Sequence, residues 1–135
     1  MSSDNKELAW SPMSRPLLVG CVGGGQLGRM MALEAPRLGI TMKLLDPSGV
    51  MCPAAQVVPH ENIIEGSLKD AKKIHELVQD CDVVTVEIEH VGVETLKDLE
   101  DEGINVQPSG RVLGIIRDKY LQKVRGEKMI VTTRQ

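Results

Sequence analysis

Gly23, Gly25 and Gly28 make a G-x-G-x-x-G spacing inside the run Gly23-Gly24-Gly25-Gln26-Leu27-Gly28-Arg29-Met30. The chemistry of such a spacing is binding rather than bond-making. The first glycine permits a tight turn, the second lets backbone approach a ligand with no Cβ between them, and the third lets a helix pack closely on a strand. Free N–H groups at the start of the following helix offer a place for an anion. Asp46 ends the next apolar run, where a dinucleotide-binding domain places the carboxylate that holds a ribose hydroxyl. These residues predict a phosphorylated or sugar-bearing ligand, NAD(P) among the candidates. The competing reading is that the glycines serve helix–strand packing alone.

Other side chains are candidates of lower specificity. Arg29 suits a phosphate contact or an ordinary helix-surface salt bridge. Glu89 follows the apolar run Val83 to Ile88. Glu87 and Glu89 also alternate with apolar residues, a pattern that equally describes the solvent face of an edge strand. His90 reads as a loop residue, with a ligand role as its alternative. Asp46, before Pro47, also suits a turn. Lys72, Lys73, His75 and Glu76 read as a solvated helix face. Cys21, Cys52 and Cys81 are odd in number and far apart, with no C-x-x-C pair. They predict reduced thiols in a cytosolic protein, with no metal site and no disulfide framework.

The elements that must position these groups follow from periodicity. Leu17 to Val22 is a short apolar strand; Gln26 to Leu38 has helical spacing, with Leu27, Met30, Met31, Leu33 and Leu38 as its apolar residues and the methionines as core filler. Pro36 and Gly39 close the helix, and Ile40 to Leu45 is a second strand. The opening is one βαβ unit with a right-handed crossover. Residues 47–61 read as an irregular loop. Beyond it come a strand over Asn62 to Glu65, a helix from Leu68 to Gln79 capped by Ser67, and a strand over Asp82 to Ile88. A short acidic helix over Thr95 to Asp101, a strand over Ile104 to Val106, and a helix over 109–126 with Ser109 as its cap complete the series. Strands alternating with helices predict an α/β, Rossmann-like, doubly wound domain with a mostly parallel sheet. Residues 1–16 are expected to be a flexible leader, 17–108 the sheet domain, and 109–135 a helical extension.

Composition narrows the function. The chain holds one Trp, one Tyr and no Phe, so its core must be aliphatic and it lacks the stacking platforms of single-stranded nucleic-acid binders. The net charge is −3 with the signs mixed, which gives no stripe for a polyanion. No apolar run suits a bilayer span or a signal peptide. Nucleic acid and membrane are therefore not expected partners.

Three separated segments together resemble one family. They are the glycine run, the run Asp82-Val83-Val84-Thr85-Val86-Glu87-Ile88-Glu89-His90-Val91, and Gln107-Pro108-Ser109 followed by Asp118-Lys119-Tyr120-Leu121-Gln122-Lys123. Their order and spacing are similar to the start of carboxyaminoimidazole ribonucleotide synthetase, an ATP-grasp enzyme. In fungi this synthetase forms the N-terminal part of phosphoribosylaminoimidazole carboxylase, a decarboxylase or lyase by its other name. The resemblance covers about residues 17–123. It implies a pre-ATP-grasp domain that binds aminoimidazole ribonucleotide through Gly25, Gln26, Leu27 and Glu89, with Asp46, Arg29 and His90 as further possibilities.

The implied reaction joins bicarbonate to the substrate amine with ATP and Mg²⁺, in a cytoplasmic, homo-oligomeric parent enzyme of purine biosynthesis. The ATP and Mg²⁺ groups of the family lie in later domains, so no catalytic residue is expected within this chain. Residues 109–135 are expected to begin the ATP-grasp region and, the resemblance fading after Lys123, to stop short of it. The chain alone is then expected to be inactive and to bind substrate weakly. The alternatives are an NAD(P)-binding module and a non-catalytic remnant. An enzyme acting on glycinamide ribonucleotide is disfavoured by Gln26, where that family usually carries an acidic residue.

Overall fold

A computed structural model describes residues 15–87 and 91–132, with side chains of the last helix as far as Gly126. Its elements run β1 (Leu17–Val22), α1 (Gln26–Glu34), β2 (Ile40–Asp46), β3 (Ile63–Glu65), α2 (Ala71–Val78), β4 (Val83–Val86), α3 (Val93–Asp101) and α4 (Gly110–Thr132). The strands form one sheet in the order β3-β2-β1-β4, all parallel. This is the α/β fold read from the sequence. The chain winds outward from β1 to β3 and then returns past β1 to β4. The strand order thus reverses between β1 and β4, where open α/β sheets hold their ligands at the carboxyl ends.

Alternation along the strands divides the core between two faces. Val22, Leu45, Ile64 and Val84 point to one face, where Ile74, Leu77 and Val78 of α2 and Leu96 and Leu99 of α3 cover them. Cys21, Met42 and Leu44 point to the other, under Ala32, Ala35 and a loop carrying Cys52, Ala54, Ala55 and Val58. Both faces are aliphatic and dry, and no buried residue outside glycine is polar among those described.

Several local readings change. The buried residues of α1 are Gly28 and Ala32, whereas Leu27, Met30, Met31, Leu33 and Leu38 are exposed, Met30 at 60%. Met30 and Met31 are not core filler. A helix lying this close to the sheet presents its small side chains inward: a Cβ on Gly28 would sit 3.1 Å from the Gly23 carbonyl oxygen. The loop over 47–61 is not irregular; it folds into three 3₁₀ turns, Gly49–Met51, Pro53–Gln56 and His60–Asn62.

The N-cap of α2 is Asp70 rather than Ser67. Its carboxylate accepts from the Lys72 and Lys73 N–H groups, and the helix starts at Ala71. Ser67 Oγ instead accepts from the Lys69 N–H, 3.2 Å away. The strand expected over Ile104 to Val106 is a single parallel bridge between Val84 and Val106. Ser109 Oγ accepts from the Arg111 N–H at the start of α4, and that helix continues to Thr132 because no Gly–Pro stop interrupts it. The leader expected over 1–16 lies outside the described residues up to position 14; Arg15 grips Asp82 with both terminal guanidinium nitrogens, at 2.8 and 2.5 Å.

Candidate functional site

The site begins where β1 ends. The Gly23 N–H donates to the Leu45 carbonyl oxygen (2.8 Å), so β1 and β2 remain paired up to the turn. On the other side Val22 is in register with Val86, and the Glu87 N–H donates to the Val22 carbonyl oxygen at 3.1 Å. That register delivers the Glu87 side chain to the glycine turn. Its Oε2 accepts from the Gly25 N–H (2.9 Å), and its Oε1 accepts from Leu27 (2.9 Å) and Gly28 (3.1 Å). Asp46, at the end of β2, accepts from the Gly24 N–H through Oδ2 (3.0 Å) and from the Ser48 N–H through Oδ1 (2.8 Å).

The expectation of free N–H groups at this turn is therefore corrected. Four of them donate to two carboxylates of the chain itself. The partial positive charge of the helix start, an attraction for any anion, is met by Glu87. Asp46 likewise holds the turn and the following loop through one bond on each oxygen.

The glycines answer to these carboxylates. A Cβ on Gly25 would lie 2.7 Å from Glu87 Oε1, and one on Gly23, whose φ is +114°, would lie 2.8 Å from Oε2. A Cβ on Gly24 would lie 2.8 Å from the Cys52 sulfur. The space that sequence reasoning reserved for a ligand beside Gly25 is filled by Glu87. Gly28 keeps its expected role of close helix–strand packing. An NAD(P)-type site is poorly served by this arrangement, since the pyrophosphate would meet a carboxylate where it needs N–H donors.

The flanks complete the picture. The Ala54 N–H donates to the Gly24 carbonyl oxygen (2.9 Å), pinning the 3₁₀ loop against the turn. Arg29 donates through Nε to the Gln56 side-chain oxygen at 3.1 Å, bridging α1 to that loop, and enters no salt bridge among the described residues. Gln26 and Leu27 remain exposed, Leu27 at 55%. Glu89 and His90 lie outside the described residues, so their places in the site remain expectations. Burial, and after it the nearby charge of Glu87, pushes the Cys21 thiol up to about 12.

Sequence reasoning missed Glu87 as the group that fills the turn. The available signal was its place directly after β4, beside the strand that ends in glycine. The far ends of the strands differ in kind. Two hollows of about 440 and 350 Å³ there are lined by residues such as His75, Cys81 and Asp82, or Pro16, Ala35 and Met42. Gly25, Gln26, Leu27, Arg29 and Asp46 line neither of these two.

The groups described here do not fit ATP or Mg²⁺. The glycine turn is closed by carboxylates, and no group of three or more His, Cys, Asp or Glu able to hold a metal occurs among the described residues. No helix there is long and apolar enough to cross a membrane.

Comparison with known proteins places the fold in a family. Residues 17–117 match the family model of the ribonucleotide synthetase preATP-grasp domain. The chain is 45% identical over 108 residues to the chloroplastic phosphoribosylaminoimidazole carboxylase of Vigna aconitifolia, a match covering 80% of this chain and 19% of the relative. It is 42% identical over 107 residues to the Saccharomyces cerevisiae carboxylase, covering 78% of this chain and 18% of that one.

Among solved structures, N5-carboxyaminoimidazole ribonucleotide synthase of Aspergillus clavatus, in complex with ADP and 5-aminoimidazole ribonucleotide, aligns with a TM-score of 0.72 and 38% identity. That match covers 87% of this chain and 30% of the other. The Thermotoga maritima synthetase aligns with a TM-score of 0.69 and 41% identity over 83% of this chain and 30% of its own. The chain thus spans about a fifth of the length of the curated carboxylases it matches.

Proposed function

The chain belongs to the ribonucleotide synthetase preATP-grasp domain family, and on that premise we propose that it is the substrate domain of an ATP-dependent carboxylase of purine biosynthesis acting on aminoimidazole ribonucleotide. One observation carries the reading. At the sheet's switch point the backbone donors of the glycine turn are held by Glu87 and Asp46, while Gln26 and Leu27 stand free at its rim. Such a rim offers an amide, an apolar side chain and nearby carboxylates. Those groups suit an amine, a ribose and a flat heterocycle better than a phosphate.

In this reading Gln26, Leu27 and Glu89 line the substrate, with His90 near it, and Gly25, closed off by Glu87, holds the turn that presents them. Gln26 has both donors and an acceptor for ribose or ring atoms; Leu27 covers an apolar face and excludes water. Glu89, three residues beyond the end of β4, accepts from the substrate amine or sugar hydroxyls. Asp46 and Arg29 shape the turn and its loop and leave the substrate to their neighbours. ATP, Mg²⁺ and bicarbonate are the co-reactants of the whole enzyme, bound outside the residues described here, and the setting is cytoplasmic, with a homo-oligomeric parent.

Thermal titration tests the reading. A ligand that binds only the folded state raises its stability by about 2.7 kcal/mol at 100 times the dissociation constant. Aminoimidazole ribonucleotide is expected to raise the melting temperature, with the effect reduced in Glu89→Ala and Gln26→Ala. A rise with NAD(H) and none with aminoimidazole ribonucleotide would overturn it.

A further inference from the structure

We propose that Glu87 is a specificity-determining residue that makes the glycine turn refuse phosphate groups. The inference goes beyond the proposed function, because it concerns the chemistry the turn admits whichever substrate occupies the neighbouring rim. A G-x-G-x-x-G turn opening a helix ordinarily presents several N–H donors and a helix dipole to a phosphate. Here the same donors, on Gly25, Leu27 and Gly28, converge on one carboxylate at 2.9, 2.9 and 3.1 Å. The carboxylate reproduces the charge and the acceptor geometry of a phosphate oxygen pair, supplied from β4 by the chain itself.

Steric fit points the same way. The built Cβ positions of Gly23 and Gly25 fall within 2.8 Å of the two carboxylate oxygens, so absence of side chains at both positions serves to admit Glu87. Register fixes the delivery, since Val86 pairs with Val22 and the Glu87 N–H is bonded back to β1. A phosphate approaching the turn would find its donors engaged and would face a negative charge at close range, where repulsion is strong. The glycine spacing alone reads as a phosphate site; the residue that reverses that reading lies far along the chain.

The probe is inorganic pyrophosphate, followed by ¹H–¹⁵N shifts of the Gly25, Leu27 and Gly28 amides. Wild type is compared with Glu87→Gln, which keeps an acceptor oxygen and removes the charge, and with Glu87→Ala, which also clears the space. Glu94→Gln removes the same charge from the exposed start of α3 and serves as the control. Both Glu87 variants are expected to show saturable shifts at the three amides, with affinity at least about tenfold above wild type. Glu94→Gln should behave as wild type.

Equal pyrophosphate binding at these amides in wild type would overturn the proposal. So would an equal gain in Glu94→Gln, or no gain in a Glu87 variant whose spectrum remains that of the folded chain. If Glu87→Ala fails to fold, Glu87→Gln decides alone. Because the readout does not involve aminoimidazole ribonucleotide, a failure here is distinct from a failure of the proposed function.

Discussion

Replacing Gly25 by alanine tests the closure of the turn from the side of the glycine. Its backbone φ is −73°, a value any residue adopts, so ordinary backbone strain predicts a mild effect. The structure predicts a larger one. The new methyl group would stand 2.7 Å from Glu87 Oε1 and 3.1 Å from Oε2, and the carboxylate must leave. It then gives up its bonds from Gly25, Leu27 and Gly28. Hydrogen bonds to a charged group contribute about 1.5–3 kcal/mol each.

The Leu27 donor is exposed and water re-satisfies it, so two bonds at the low end give a loss of about 3 kcal/mol. For a chain of this size that lowers the melting temperature by about 12 °C. Gly39→Ala is the contrast: φ there is +69° with nothing within 4 Å of the added methyl, and only the left-handed backbone penalty of about 1–2 kcal/mol applies.

The decisive assay is a double-mutant cycle by urea unfolding. With Glu87→Ala already in place the methyl group has room, and Gly25→Ala should then cost under about 1 kcal/mol, the ordinary penalty of alanine at an N-cap. A coupling of about 2 kcal/mol or more is expected. Additivity within about 0.5 kcal/mol would refute the claim that Gly25 is glycine because of Glu87.

Two further outcomes follow from the ionisable groups. Burial pushes the Cys21 thiol up to about 12 and the Cys81 thiol up to about 11. At pH 8 Ellman's reagent should therefore label both at least about 100-fold more slowly in the native chain than in urea; labelling at the unfolded rate would contradict their packing. Arg15, by hydrogen bond and charge, holds the Asp82 carboxyl below its ordinary value, with the Leu18 N–H adding to the effect. A depressed folded pKa gives stability that is complete above the unfolded value of about 3.9 and is lost as pH falls through the folded value. Below pH ~4, Asp82→Asn should flatten the fall of melting temperature with pH, and an unchanged slope would refute the pairing.

What the sequence disclosed and what it withheld divide along chain distance. The unit from Leu17 to Asp46 was legible because its signals are local: an apolar run, a glycine turn, a helix that ends at Glu34 and passes through a 3₁₀ turn over Ala35–Leu38 to Gly39, a second run. Gly28 was read correctly because its partner, the Gly23 carbonyl, is five residues away. Glu87 was not, because its bond to Gly25 spans 62 positions and exists only once the strand order places β4 beside β1. Periodicity also misplaced the buried side of α1. It weighted the large residues Met30 and Leu33, whereas close approach to the sheet selects Gly28 and Ala32. Asp70 took the cap from Ser67 because the helix begins at Ala71, after a turn closed between Ser67 and Asp70. Glu89 and His90, outside the described residues, stand where the sequence left them.

The most direct test of the central claim is a graft. Residues 17–117, the matched segment, replace the corresponding segment of the Saccharomyces cerevisiae carboxylase, and ADP release is measured with and without aminoimidazole ribonucleotide and bicarbonate. The account predicts turnover that depends on both, with KM for the ribonucleotide within about tenfold of the parent, a span of about 1.4 kcal/mol, and raised further by Glu89→Ala. A graft that folds and binds ATP but shows no response to aminoimidazole ribonucleotide would contradict it.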